Sequence, residues 1–214
     1  GAFIDNLYDS LELTASIFPA LLPLINIDDY ERPVMALMGR LVDSSLLVPA
    51  AYETYLPKFL LEAKQDLKKQ MIREKSRAIE KLKKEEDAEI ESRYDREEDD
   101  FGNNKLSLYA TLVLPFREQS PQVAPILQGL LQSSDKKLKY NTTVLLLRNK
   151  LSVPDTLLTY FASRDEFRSR LYDDLTQMGQ TDKFPLRYKT QQLHAQSKLV
   201  AYKTYGRPDT LVFL

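Results

Sequence analysis

Apolar residues recur at intervals of three and four along most of this chain, the spacing that places one hydrophobic stripe on an α-helix. Phe167, Leu171, Tyr172 and Leu175 follow it, and Ser163-Arg-Asp-Glu166 just before them has the spacing of a capping box. Asp28-Asp29-Tyr30-Glu31 has the same form and predicts a helix running to about Ser44. Ser120-Pro121 reads as a cap followed by proline in the first turn and opens Gln122–Gln132. Asp135 caps the next predicted helix, Lys136–Lys150, Pro154 opens another, and Pro185 starts the last, which runs to about Thr204. Only Thr210–Leu214, after the turn Gly206-Arg-Pro-Asp209, reads as strand.

The pattern repeats itself. At an offset of 105 residues, Leu41, Leu46, Val48 and Pro49 fall on Leu146, Leu151, Val153 and Pro154, and Thr54-Tyr55 falls on Thr159-Tyr160. Upstream, Leu21, Leu22 and Ile25 meet Ile126, Leu127 and Leu130. Two copies of one antiparallel helix pair follow, about 16–58 and 121–163. A lone helix pair cannot bury both faces, so such units stack and share a core. The expected core of the second copy is Val144, Leu145 and Leu147 with Leu157, Leu158 and Phe161.

With its proline-punctuated amphipathic helices, Pro121–Ser163 resembles a HEAT or armadillo type α-solenoid repeat, and Ser16–Lys58 resembles a divergent second copy. The resemblance implies a scaffold whose surface binds other macromolecules, and it implies no catalytic residues. The expected fold is all-α: HEAT-like stacked antiparallel helix pairs, a long charged helical insertion and at most one short C-terminal strand. The expected organisation is repeat units over 1–61, a charged arm over 62–105, further units over 106–205, and a turn and strand over 206–214. Gly1 and the apolar end Thr210–Leu214 read as ends cut from something longer.

Charge changes the picture of the insertion. Residues 62–100 carry eleven bases and fourteen acids with no glycine or proline, which predicts one helix continuing from near Pro49. Its apolar positions Leu67, Met71, Ala78, Leu82, Ile90 and Tyr94 make a thin stripe. Glu80 with Lys84, Lys81 with Glu85, Lys83 with Asp87 and Glu89 with Arg93 stand at i,i+4 and support such a helix. The charges are sorted: 64–84 holds nine bases to three acids, and 85–100 holds ten acids to two bases. A solvated helical arm is the simplest expectation. Antiparallel pairing of two arms over 63–104, basic block against acidic block, would make a homodimer, and disorder over Arg96–Asn104 is a further reading.

Composition then removes chemistries. The 214 residues include no cysteine, so disulfides, thiolate nucleophiles and sulfur-based metal sites are excluded. The lack of cysteine tilts the expected compartment toward the cell envelope. The longest apolar run, Ile17–Ile25, is broken by Pro19 and Pro23 and is too short to span a bilayer. His194 is the one histidine, set among glutamines, and reads as an exposed residue without a metal. The run Asp95–Gly102 fails as a calcium loop, because Asp100 and Leu106 stand where glycine and a bidentate glutamate belong. Asp28-Asp29 and Asp173-Asp174 read as capping and solvated carboxylates, and Asn141-Thr-Thr143 matches a glycosylation acceptor pattern inside a predicted helix. No nucleophile elbow, phosphate loop or dinucleotide glycine pattern occurs, and no cofactor is expected.

One basic stretch remains. Lys183, Arg187, Lys189, Lys198, Lys203 and Arg207 stand in 183–207 without an acid among them, interleaved with Tyr188, Tyr202 and Tyr205. They form the candidate interaction surface. The expected function is a non-enzymatic helical-repeat scaffold that mediates protein–protein interaction within a larger protein. The alternative is an anion- or nucleic-acid-binding module built on this basic helix. A net charge of −1 disfavours nucleic acid.

Overall fold

The computed structural model of the chain describes residues 11–84 and 96–204, with side chains over 11–80 and 105–200. Nine α-helices and no strand occur among the described residues: α1 (Leu11–Leu21), α2 (Asp28–Asp43), α3 (Leu56–Lys84), α4 (Arg96–Val113), α5 (Val123–Gln132), α6 (Lys136–Arg148), α7 (Asp155–Ala162), α8 (Asp165–Gln177) and α9 (Gln191–Thr204). The fold is all-α. No described helix is long and apolar enough to cross a membrane. The predicted turn and strand over 206–214 lie outside the described residues.

The chain divides into two compact units, Gly1–Thr142 and Thr143–Leu214. The division runs through the segment 106–205 and cuts the second predicted helix pair inside α6.

In the first unit α2 packs on α4 and on the short 3-10 turn Leu22–Asn26, while α3 packs on both α4 and α5. The apolar stripe of α2 (Val34, Met35, Leu37, Met38, Leu41) is buried, as periodicity requires. α4 lies close to Gly39, where a Cβ would stand in ordinary contact 3.4 Å from Leu108 Cδ2. Tyr52 is fully buried; its hydroxyl donates to the Leu112 carbonyl at 3.1 Å and its ring meets the edge of Phe116 at 5.3 Å.

The charged segment is corrected in three respects. Its helix starts at Leu56, because Pro49–Ala51 and Glu53–Tyr55 are separate 3-10 turns. It is also no solvated arm at its start: Phe59, Leu60, Ala63, Leu67 and Gln70 are buried against α4 and α5. Lastly, Arg96–Asn104 is helical backbone, the first turns of α4. The paired charges at 80–93 lie largely outside the described side chains.

In the second unit α8 packs between α7 and α9. Of the expected core, Val144, Leu145, Leu147, Leu158 and Phe161 are buried and Leu157 is half-buried. Phe161 meets Phe167 at 5.2 Å, edge to face, which fixes the corner between α7 and α8.

The predicted N-terminal caps differ in detail. Asp135 does cap α6, its Oδ1 accepting from the Leu138 amide at 2.8 Å. Neither capping box forms: Ile27 and Arg164 occupy the N-cap positions without a side-chain bond. Ser163 Oγ turns back to the Tyr160 carbonyl at 2.9 Å. Ser120-Pro121 forms a turn, and α5 begins only at Val123. Pro185 opens the 3-10 turn Leu186–Tyr188, with α9 following from Gln191.

Candidate interaction surface

Three polar clusters stand out, all of them absorbed in holding helices together. In the first unit Glu31 of α2 accepts from Lys58 and from Lys105, each at 3.1 Å. Lys58 also donates to the Ile25 carbonyl at 2.7 Å, and Glu62 accepts from the Tyr109 hydroxyl. Burial alone would raise Glu31; the hydrogen bonds and charges of Lys58 and Lys105 outweigh it and hold the carboxyl below the ordinary carboxylate value. That is the reverse of what a general acid needs at neutral pH. Burial, reinforced by the bond to Glu62, pushes the Tyr109 phenol up. A groove of about 290 Å³ adjoins this cluster, lined by Glu31, Arg32, Asp66, Arg73 and Lys105.

Glu74 forms the second cluster. Its carboxylate accepts from Ser133 Oγ, from the Ser134 amide at 2.9 Å and from Gln70 at 3.2 Å. Burial opposes ionisation here too, and the three donors prevail, so the group lies below the ordinary value. The carboxylate thereby ties α3 to the residues leading into α6. The groove beside it, about 530 Å³, is lined by Met71, Lys75, Arg77, Gly129 and Gln132 among others.

The third cluster is in the second unit, and sequence reasoning missed it. Arg168 is 3% exposed. Its guanidinium donates to the Ala162 carbonyl at 2.7 Å, the Leu193 carbonyl at 2.8 Å, the Ser163 carbonyl at 3.3 Å and Asp165 at 2.5 Å. One fork thus satisfies carbonyls at the end of α7 and early in α9, a task for a rigid planar donor set. Ser197 bridges α9 to α8 by donating to the Asp165 carbonyl and accepting from the Ser169 amide at 3.0 Å.

His194 belongs to this interface, which corrects its expected exposure. The imidazole packs at 4.8 Å from the Tyr172 ring and 5.6 Å from Phe184, with Nε2 buried and unpaired. Burial, then the nearby positive charge of Arg168 and Lys198, pushes its pKa down against the opposing pull of Asp173. Polar neighbours in sequence hid this, because Gln191, Gln192 and Gln196 stay exposed while His194 turns inward.

The predicted basic residues do not share one helix face. Lys183 stands in the 3-10 turn Thr181–Lys183, Arg187 in the turn Leu186–Tyr188, Lys189 just after it and Lys198 in α9; all four are exposed. The side chain of Lys203 and all of Arg207 lie outside the described residues. The corner between α8 and α9 therefore gathers three of them within seven residues. Arg187 lies over the Tyr188 ring at 4.7 Å and Lys189 over the Tyr172 ring at 5.7 Å. Lys183 donates to Gln180 at 2.8 Å. Among the described residues, none of the three pairs with a carboxylate. In their midst Leu186 is 81% exposed, the largest exposure of any described large hydrophobic side chain. Its position just after Pro185 is the one signal that a turn, and not a helix face, presents it.

Among the described residues no group of three or more His, Asp or Glu side chains is arranged to hold a metal ion. Compared with protein-family models, with curated proteins and with solved structures, the chain matches none.

Proposed function

We propose that this chain is a non-enzymatic helical scaffold of stacked helix pairs and that it binds an acidic protein surface through the corner at 181–190. The observation that carries the reading is Leu186, 81% exposed beside Lys183, Arg187 and Lys189. Burying a leucine in a partner's pocket is worth about 1.5–3 kcal/mol. Cations around it steer and orient an acidic partner more than they add raw affinity. Aromatic rings beneath Arg187 and Lys189 hold them in place without neutralising them.

In keeping with two copies of one helix pair, the helix ends at 45 and 150 share one hydrogen-bond pattern at the 105-residue offset, a pattern the end of α8 also carries. Self-association through the charged segment 63–104 belongs to the same reading of the chain as an interaction module.

Nucleic acid is the alternative. Unspecific single-strand binding stacks bases on open rings, whereas the Tyr172 ring is packed by Phe184 and His194 and Tyr188 lies under Arg187. Fluorescence anisotropy of a labelled glutamate–leucine peptide and of a single-stranded DNA separates the two. The scaffold reading expects the peptide to bind, with Leu186→Ser weakening it about tenfold. Preferential DNA binding with a steep salt dependence would replace it with the alternative.

A further inference from the structure

Helix α3 has three flanks. Toward α4 it presents Phe59 and Glu62, whose partners are the Tyr109 ring at 6.4 Å and the Tyr109 hydroxyl. Toward α5 and the residues after it stand Leu67, packed on Gly129, and Glu74, bonded to Ser133. The third flank carries Leu61, Ile72 and Ile79, exposed by 58%, 55% and 55%. At roughly 100° per residue these three fall within about 20° of one another and span about 27 Å. Between them stand Gln65, Lys68, Lys75 and Ser76, all exposed. No carboxylate interrupts this strip, and among the described residues neither Lys68 nor Lys75 pairs with one. By contrast Lys69, on the α4 side, is matched by Asp66 at 3.0 Å.

An aliphatic strip with unpaired lysines fits an acidic segment with sparse apolar positions. This chain supplies one: Glu85–Asp100 has ten acids to two bases, with Ile90 and Tyr94 four apart. From Arg96 the run is the backbone of α4, which packs on another flank of α3 and leaves this strip open.

We propose that two copies of this chain associate reciprocally, the acidic run Glu85–Asp100 of each lying on the Leu61–Ile72–Ile79 flank of the other. The contact is isologous, so each pairing of basic flank and acidic run occurs twice. A direct α3-to-α3 contact would instead set lysines against lysines. This inference rests on the reading of the chain as an interaction module and names one partner for it.

Sedimentation velocity on the whole chain tests it. Removing 63–104 would strip Ala63 and Leu67 from the core, so charge reversal at exposed positions is the cleaner probe. The intact chain should sediment as a dimer at about 50 mM salt and shift toward monomer at about 500 mM, where exposed charges are screened. Lys68→Glu with Lys75→Glu should weaken association at least about tenfold at unchanged far-UV circular dichroism, and so should Ile72→Ser. A second variant with Glu85→Lys, Glu86→Lys and Asp87→Lys should be monomeric alone and form a heterodimer with the first. A monomer at low salt, or a dimer indifferent to these substitutions, overturns the proposal. Either result leaves peptide binding at Leu186 untouched, so the two failures are told apart.

Discussion

Ser45 and Lys150, 105 positions apart, hold the same left-handed backbone, with φ of 58° and 57°. Each follows the end of a helix, and the two hydrogen bonds that close that end recur at both sites. Leu46 N–H donates to the Leu41 carbonyl at 2.8 Å and Leu151 N–H to Leu146 at 2.9 Å; Ser45 donates to Val42 at 3.0 Å and Lys150 to Leu147 at 2.9 Å. This is the Schellman pattern, which normally favours glycine at the left-handed position. The third instance, at the end of α8, does use glycine: Gly179 has φ of 66°, and Gln180 donates to Leu175 at 2.8 Å.

Non-glycine residues in that conformation are strained, and both sites are exposed. Ser45→Gly and Lys150→Gly should therefore each stabilise the fold by about 1 kcal/mol, and Gly179→Ala should destabilise it by a similar amount. Chemical denaturation of the three variants checks the signs. A loss of stability in Ser45→Gly would contradict the geometry.

Gly129 and Leu67 make a second pair. A Cβ at Gly129 would fall 2.5 Å from Leu67 Cδ2, well inside contact distance. Alanine is the better helix former by about 1 kcal/mol, so two effects oppose. In the native background the overlap should win and Gly129→Ala should destabilise; in a Leu67→Ala background the same substitution should stabilise. A double-mutant cycle reads the change of sign, and equal effects in both backgrounds would show that Leu67 simply moves aside.

Protonation gives a third prediction with two windows. His194 has its folded pKa depressed below 6.5, so the unfolded chain binds the proton more readily. Stability should therefore be complete above about pH 6.5 and fall as pH drops through the folded value. His194→Phe should flatten that slope. Glu31 and Glu74 lie below 4.5 when folded, so their contribution holds above that pH and is lost only at stronger acid. Glu31→Gln should reduce the acid-side loss without touching the histidine window. Urea midpoints across the pH range separate the two, and an unchanged slope in His194→Phe would exclude the histidine as its source.

Much of the helical plan is legible in the sequence, because the stripes at 34–41, 123–130 and 167–175 are local periodicities that tertiary structure keeps. The C-terminal stops are legible for the same reason. The N-terminal caps are less so: Glu31, which could reach back to its own helix start, is taken by Lys58 and Lys105 from other helices. The charge blocks of 62–100 also concealed a core element, since Ala63, Leu67 and Gln70 are buried within a segment dominated by charge. At the candidate surface the cations could be named in advance. The turn that projects Leu186, and the Arg168 fork that holds α8 to α9 behind it, depend on contacts between residues far apart in sequence.

Arg168 makes that dependence testable. Arg168→Met leaves the Ala162, Ser163 and Leu193 carbonyls without their donor and should cost about 3 kcal/mol. Arg168→Lys should recover only part of it, because one ammonium cannot reproduce the fork. Thermal unfolding of both variants gives the ranking, and a fully rescued lysine variant would contradict it.

Binding at the Leu186 corner is tested most directly by chemical-shift mapping of the isotopically labelled chain against an acidic glutamate–leucine peptide. The largest shifts should fall on Leu186, Arg187 and Lys189, with Lys183 at their edge, and should vanish in Leu186→Ser combined with Arg187→Glu. Shifts confined to other surfaces, or none at a peptide concentration that saturates weak binding, would contradict it.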